Sequence, residues 1–176
     1  NRMAIKKITL QQGYLITVCG WMSLTVLGTL PFVLSDTIPD FADAFFETMS
    51  GLSTTGATIL PDVEAMPKAI LLWRSILSCL GGIGIVMFAV ALLPYLGIGG
   101  MQIFQRENSD IDDKFMPKFN YIAKRIMFVY VSLVLGCIFS LHWAGMPWFD
   151  AVNHGLSIVA TCGLSIKNAS LGFYDS

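Results

Sequence analysis

Three stretches of this chain, residues 13–35, 75–105 and 126–149, contain no Asp, Glu, Lys or Arg. Each is longer than the about 20 apolar residues that a helix needs to cross a bilayer. Only 13% of the 176 residues are charged and 55% are hydrophobic. Roughly a quarter of residues are charged in ordinary soluble domains, so there is too little polar surface here to cover three such segments in water. The expectation is an all-α integral membrane protein. Spans are predicted at about 13–34, at about 69–93 ahead of Pro94, and at about 120–143.

The net charge of −1 conceals a segregation by sign. Arg2, Lys6 and Lys7 lie before the first span, and Arg106, Lys114, Lys118, Lys124 and Arg125 lie between the second and third. Basic residues are retained on the cytoplasmic side, which predicts a cytoplasmic N-terminus and a cytoplasmic connection at 97–118. Asp36, Asp40, Asp43, Asp62, Glu64 and Asp150 fall on the opposite side. An acidic outer face concentrates cations at an entrance, although acids are common on any exposed loop. The first apolar run is span-length and has no small-residue cleavage site, so no signal peptide is expected. Cys19, Cys79 and Cys137 fall inside spans, where a thiol behaves as a small apolar group. No disulfide framework is expected.

Between the first two spans the chain is not a simple loop. Asp40, after Pro39, opens the run Phe41-Ala42-Asp43-Ala44-Phe45-Phe46-Glu47-Thr48-Met49. It is helix-compatible, too short to span and too apolar to lie free in water, which is the signature of a re-entrant or buried segment. The next residues, Ser50-Gly51-Leu52-Ser53-Thr54-Thr55-Gly56-Ala57-Thr58, are largely small or β-branched and predict an extended tail. The same pattern returns after the third span. Asp43-Ala44, Ser50, Thr54 and Gly56 recur as Asp150-Ala151, Ser157, Thr161 and Gly163, all at an offset of 107 residues. The chain therefore divides into a first helix–pore-loop–helix unit at 1–96, a connection at 97–118, and a second unit at 119–176 without its closing transmembrane helix. Searching for such repeats precedes any other reading of a fold.

A short buried helix ending in Thr-x-Gly carries a specific chemistry. Unpaired backbone carbonyls are costly in a membrane unless they line a cavity or ligate something. A cation stripped of water needs oxygens to replace its shell, and rings of carbonyls supply them in potassium filters. Glycine permits the dihedrals that turn carbonyls toward an axis. Thr54 and Thr161 add hydroxyl oxygens, and the C-terminal end of the short helix adds partial negative charge. One Thr-x-Gly is a weak signal and equally a glycine turn in an external loop; two at matched positions are not.

Four motifs together resemble the Trk/Ktr/HKT superfamily of potassium transporters, and within it the TrkH-type bacterial uptake subunits. They are Phe41-Ala42-Asp43-Ala44-Phe45-Phe46-Glu47, Thr54-Thr55-Gly56-Ala57-Thr58, Gly81-Gly82-Ile83-Gly84-Ile85-Val86 and Leu96-Gly97-Ile98-Gly99-Gly100-Met101-Gln102. The similarity continues through Ala144-Gly145-Met146 and Phe149-Asp150-Ala151 to Ala169-Ser170-Leu171-Gly172-Phe173. The resemblance implies a potassium-channel-like fold of four units around one pore, of which this chain holds the first two and alone should not conduct. It implies potassium-binding selectivity-filter positions at Thr54, Thr55, Gly56, Thr161, Cys162 and Gly163, with no cofactor besides the transported ion. It further implies a multi-pass protein of the bacterial inner membrane, a homodimer, and a cytosolic nucleotide-binding regulatory ring (TrkA-like) that would contact 97–118. These filters keep one glycine per strand and lack the Thr-Val-Gly-Tyr-Gly run of ordinary potassium channels.

Arg74 lies about one turn inside the second span and Glu47 in the short helix. Either they pair and brace the helix behind the filter, or Arg74 snorkels to the outer headgroups. His154 stands at the position of Glu47 in the second copy and is expected as a neutral hydrogen-bonding counterpart rather than a metal ligand. Cys162 is expected to offer its carbonyl, with its thiol turned away. Gly81, Gly82 and Gly84 read as packing glycines, since no strand precedes them as a nucleotide fingerprint requires. No nucleophile or metal constellation supports an enzyme, and nothing suggests nucleic-acid binding. A secondary carrier coupled to protons or sodium is the alternative, because carriers also use broken helices. The direct repeat favours channel-like permeation.

Overall fold

The computed structural model describes residues 10–96 and 111–174, with side chains described outside 90–120. The basic N-terminal residues and most of the 97–118 connection, on which the cytoplasmic and ring-contact expectations fall, lie outside the described residues.

The described residues are helical throughout, without a strand. Three helices, α1 (Leu10–Leu34), α3 (Lys68–Leu96) and α4 (Ile111–Trp143), contain segments long and apolar enough to cross a membrane. Those segments are Gln11–Leu34, Lys68–Ala89 and Tyr121–Trp143, of 24, 22 and 23 residues. Two helices of 12 residues, α2 (Phe41–Leu52) and α5 (Trp148–Val159), follow α1 and α4. At 1.5 Å per residue these reach only about 18 Å, too short to cross a core of about 30 Å. Helix α1 runs through Pro31 to Leu34. Helix α4 begins at Ile111, so the end of the expected connection is helical. Its charged first turns hide the helix from a hydropathy reading.

Exposed and buried side chains are distributed for lipid rather than water. Leu15, Leu24 and Leu27 on α1, and Phe128, Val129 and Leu133 on α4, are exposed. Thr25, Thr29, Thr48, Ser75, Ser78 and Asn153 are buried. The inner hydroxyls are satisfied locally: Thr25 donates to the Trp21 carbonyl at 2.9 Å and Thr29 to the Thr25 carbonyl at 2.7 Å. This is an integral membrane protein built from helices.

Helix α3 is the central element: α2 packs between α1 and α3, and α5 between α3 and α4. The contact is close because of two adjacent glycines. A Cβ on Gly81 would stand 2.0 Å from the Leu52 carbonyl oxygen, at the end of α2. One on Gly82 would stand 2.9 Å from the Ala160 Cα, just past α5. Both short helices thus end against the same turn of α3. The packing role expected for these glycines is the one they have.

Candidate functional site

The two short helices and their tails are copies in three dimensions. α2 and α5 have equal length and start and stop at the same offset of 107 residues. Each is followed by a residue near φ −79° or −71° with ψ close to zero, Ser53 and Ala160. Thr54 and Thr161 then adopt left-handed φ of 55° and 57°, and Gly56 and Gly163 adopt 77° and 81°. Left-handed backbone in a threonine costs about 1–3 kcal/mol and persists where surrounding structure imposes it, commonly at functional sites. Here it is imposed twice. The Thr55 and Cys162 amides close the turns by donating to the Ser50 and Ser157 carbonyls at 2.9 and 3.1 Å.

Ser50, Gly51 and Leu52, expected in the extended tail, form the last turn of α2 instead. Gly51 sits where a Cβ would lie 3.3 Å from the Leu77 Cβ, and the Ser50 hydroxyl donates to the Ala57 carbonyl. Contact with α3 outweighs the weak helix propensity of these residues.

The loops touch each other. A Cβ on Gly56 would fall 1.9 Å from the Cys162 carbonyl oxygen. The Cys162 thiol is buried on the other side, 3.2 Å from the Ser78 hydroxyl of α3. The six residues Thr54, Thr55, Gly56, Thr161, Cys162 and Gly163 therefore form one pair of abutting turns at the C-terminal ends of α2 and α5, where helix dipoles place partial negative charge.

Behind the turns lies a buried ion pair. Glu47 and Arg74 are 1% and 2% exposed, and Arg74 Nη2 is 2.7 Å from Glu47 Oε1. Arg74 Nε–H donates to the same oxygen at 2.7 Å. The other carboxylate oxygen accepts from the Ile59 amide at 3.1 Å, and the Thr58 hydroxyl reaches both oxygens at 3.0 Å. The guanidinium continues to Thr58 Oγ1 at 3.1 Å and to the Ser165 carbonyl of the second loop at 3.3 Å. One buried cation thus holds both loops, and Arg74 does not reach outward to headgroups.

The second unit repeats the brace without a carboxylate. His154 Nδ1 lies 2.9 Å from the Asp150 carbonyl, which can only accept, so Nδ1 carries the proton. In the neutral ring Nε2 then accepts from the Ser165 hydroxyl at 3.1 Å. Ser165 in turn accepts the Lys167 amide at 3.0 Å, as Thr58 accepts the Leu60 amide at 3.2 Å. Thr58 and Ser165 are 107 residues apart, as are Glu47 and His154. The sequence reading singled out neither hydroxyl, yet carrying the offset two residues past the glycines would have paired them. No group of His, Cys, Asp or Glu suited to a metal ion exists among the described residues.

Residues 2–176 match the TrkH family, described as cation transport protein. The Trk system potassium uptake protein TrkH of Salmonella typhimurium is 43% identical over 180 residues, taking in 100% of this chain and 37% of that protein. TrkH of Escherichia coli K12 is 42% identical with the same coverage. The Trk system potassium uptake protein TrkI of Halomonas elongata is 37% identical over 163 residues, covering 93% of this chain and 33% of that one. The crystal structure of the potassium transporter TrkH from Vibrio parahaemolyticus matches with a TM-score of 0.83 at 40% identity, over 100% of this chain and 35% of the other. The chain spans about a third of the length of the curated relatives it matches.

Proposed function

The chain belongs to the TrkH family of cation transport proteins, and from that premise we propose that it supplies two of four pore loops through which potassium is taken up across the bacterial inner membrane. In this reading Thr54, Thr55, Gly56, Thr161, Cys162 and Gly163 belong to one selectivity filter and the ion passes without a carrier cycle. The observation that carries it is the doubled backbone, with left-handed threonine and positive-φ glycine after each short helix and the two turns in contact. Carbonyls next to such glycines can replace a hydration shell, and the two helix C-termini add no counter-charge that must be removed before the ion leaves.

Glu47 and Arg74 then serve as the brace behind the filter. Their opposite charges make the buried pair formally neutral, so it stiffens the loops without adding net charge near a permeating cation. Homodimer formation, a cytoplasmic N-terminus, and docking of a nucleotide-binding ring at 97–118 belong to the same proposal.

Recording from the full-length parent in a planar bilayer under a potassium gradient tests the reading. Discrete unitary currents reversing near the potassium equilibrium potential are the expected result. Uptake without unitary events, accompanied by proton or sodium entry, would transfer the assignment to a carrier.

A further inference from the structure

Beyond the two glycines the loops are tied at their outer ends by a single residue. Asn168 Oδ1 accepts the Val63 amide at 2.9 Å, its Nδ2–H donates to Asp62 Oδ1 at 2.8 Å, and its own amide donates to Glu64 Oε1 at 3.2 Å. Three consecutive residues of the first loop are thus met by one residue of the second. Glu64 Oε2 is 3.5 Å from the Lys167 ammonium, and Asp62 Oδ1 also accepts the Glu64 amide at 3.1 Å. Beneath this clasp Val63, Leu71 and Ile166 form a small buried cluster. The clasp runs one way, because the repeat places Pro61 opposite Asn168. Proline has no amide proton and no polar side chain to return the contact.

The chemistry selects asparagine. One short side chain must accept from an amide and donate to a carboxylate at once; aspartate cannot donate, and alanine does neither. The bond also holds the Asp62 carboxyl below its ordinary value, with the Asn168 amide as the largest cause.

An oxygen cage distinguishes ions by size only while its strands keep a fixed spacing. Arg74 fixes that spacing from behind, and the contact of Gly56 with Cys162 fixes it at the turns. The tails after them are irregular and largely exposed, the kind of segment that opens locally at small cost. We propose that Asn168 is a positioning residue that sets the outer spacing of the two loops and so the preference for potassium over sodium. The inference rests on the filter reading above.

The test compares rubidium and sodium tracer uptake into vesicles holding the full-length protein, per copy by immunoblot. Asn168→Asp sets a carboxylate against Asp62 and Glu64. The rubidium-to-sodium ratio is expected to fall about tenfold, the size of one charge-assisted hydrogen bond exchanged for a like-charge contact. Asn168→Ala lowers it less. The exchange D62N/N168D restores a donor facing a carboxylate and keeps an acceptor for the Val63 amide, so it is expected to return the ratio to within about twofold of wild type. A general loss of packing would not be repaired by that exchange. An unchanged ratio in Asn168→Asp, or no recovery in the exchange, overturns the proposal. Gly56→Ser run in parallel separates the two levels. If it alters selectivity while the Asn168 variants do not, only the clasp falls; if it alters nothing, the filter reading fails.

Discussion

Gly56→Ala in the full-length protein is expected to abolish growth of a transport-deficient bacterium at low potassium while leaving membrane abundance near normal. Two independent obstacles meet at this residue. Its φ of 77° is a conformation that side chains resist, and the added Cβ would lie 1.9 Å from the Cys162 carbonyl oxygen. A backbone oxygen cannot swing aside as a side chain does, so the two turns must separate. Strain of about 1–3 kcal/mol from the dihedral alone already exceeds the factor of ten that 1.4 kcal/mol represents, and displacement of the neighbouring carbonyl adds to it. Gly163→Ala carries at least the dihedral strain, at φ 81°, and is expected to reduce uptake and admit sodium. Wild-type growth and unaltered ion preference in both variants would make these loops merely structural.

Arg74→Gln is expected to lower the stability of the full-length protein by about 3–5 kcal/mol, the loss seen when one partner of a buried ion pair is removed. The variant leaves the Glu47 carboxylate in place, almost wholly buried, with only Thr58 and the Ile59 amide as partners. It also frees the Ser165 carbonyl of the second loop. The double variant Glu47→Gln/Arg74→Gln removes both charges and is expected to be more stable than Arg74→Gln alone, although it keeps one donor fewer for the loops. Thermal unfolding in detergent, read by loss of the monodisperse peak, measures all three variants. Strictly additive losses in this cycle would mean that the two groups do not act together.

The parts of the fold visible in the sequence are those written in local pattern. Charge-free runs marked the three spans because the bilayer excludes charge along a continuous length. The offset joining Asp43 to Asp150 and Gly56 to Gly163 marked the two short helices because a repeat needs no knowledge of packing. The relation of Glu47 to Arg74 could be posed as one of two placements, since a lone buried charge demands a partner, and the structure sets them 2.7 Å apart. The end of α2 was not visible: Ser50 and Gly51 are poor helix residues, held helical by Leu77 and by a hydrogen bond to Ala57. Nor was the reach of Arg74 to Ser165 or of Asn168 to Asp62, contacts 91 and 106 residues apart in the chain. Those depend on how α3 stands between the units, which no local pattern states.

The position of α3 has a consequence for how such a protein is made. Chains emerge from the N-terminus onward and domains fold in that order. Arg74, Ser78, Gly81 and Gly82 are synthesised after α2 but well before α5. The first loop must therefore wait for the helix on which it rests. The second loop leaves the ribosome facing a finished surface, with the Ser78 hydroxyl ready for Cys162 and the Gly82 recess ready for Ala160. The first unit is the mould in which the second is cast.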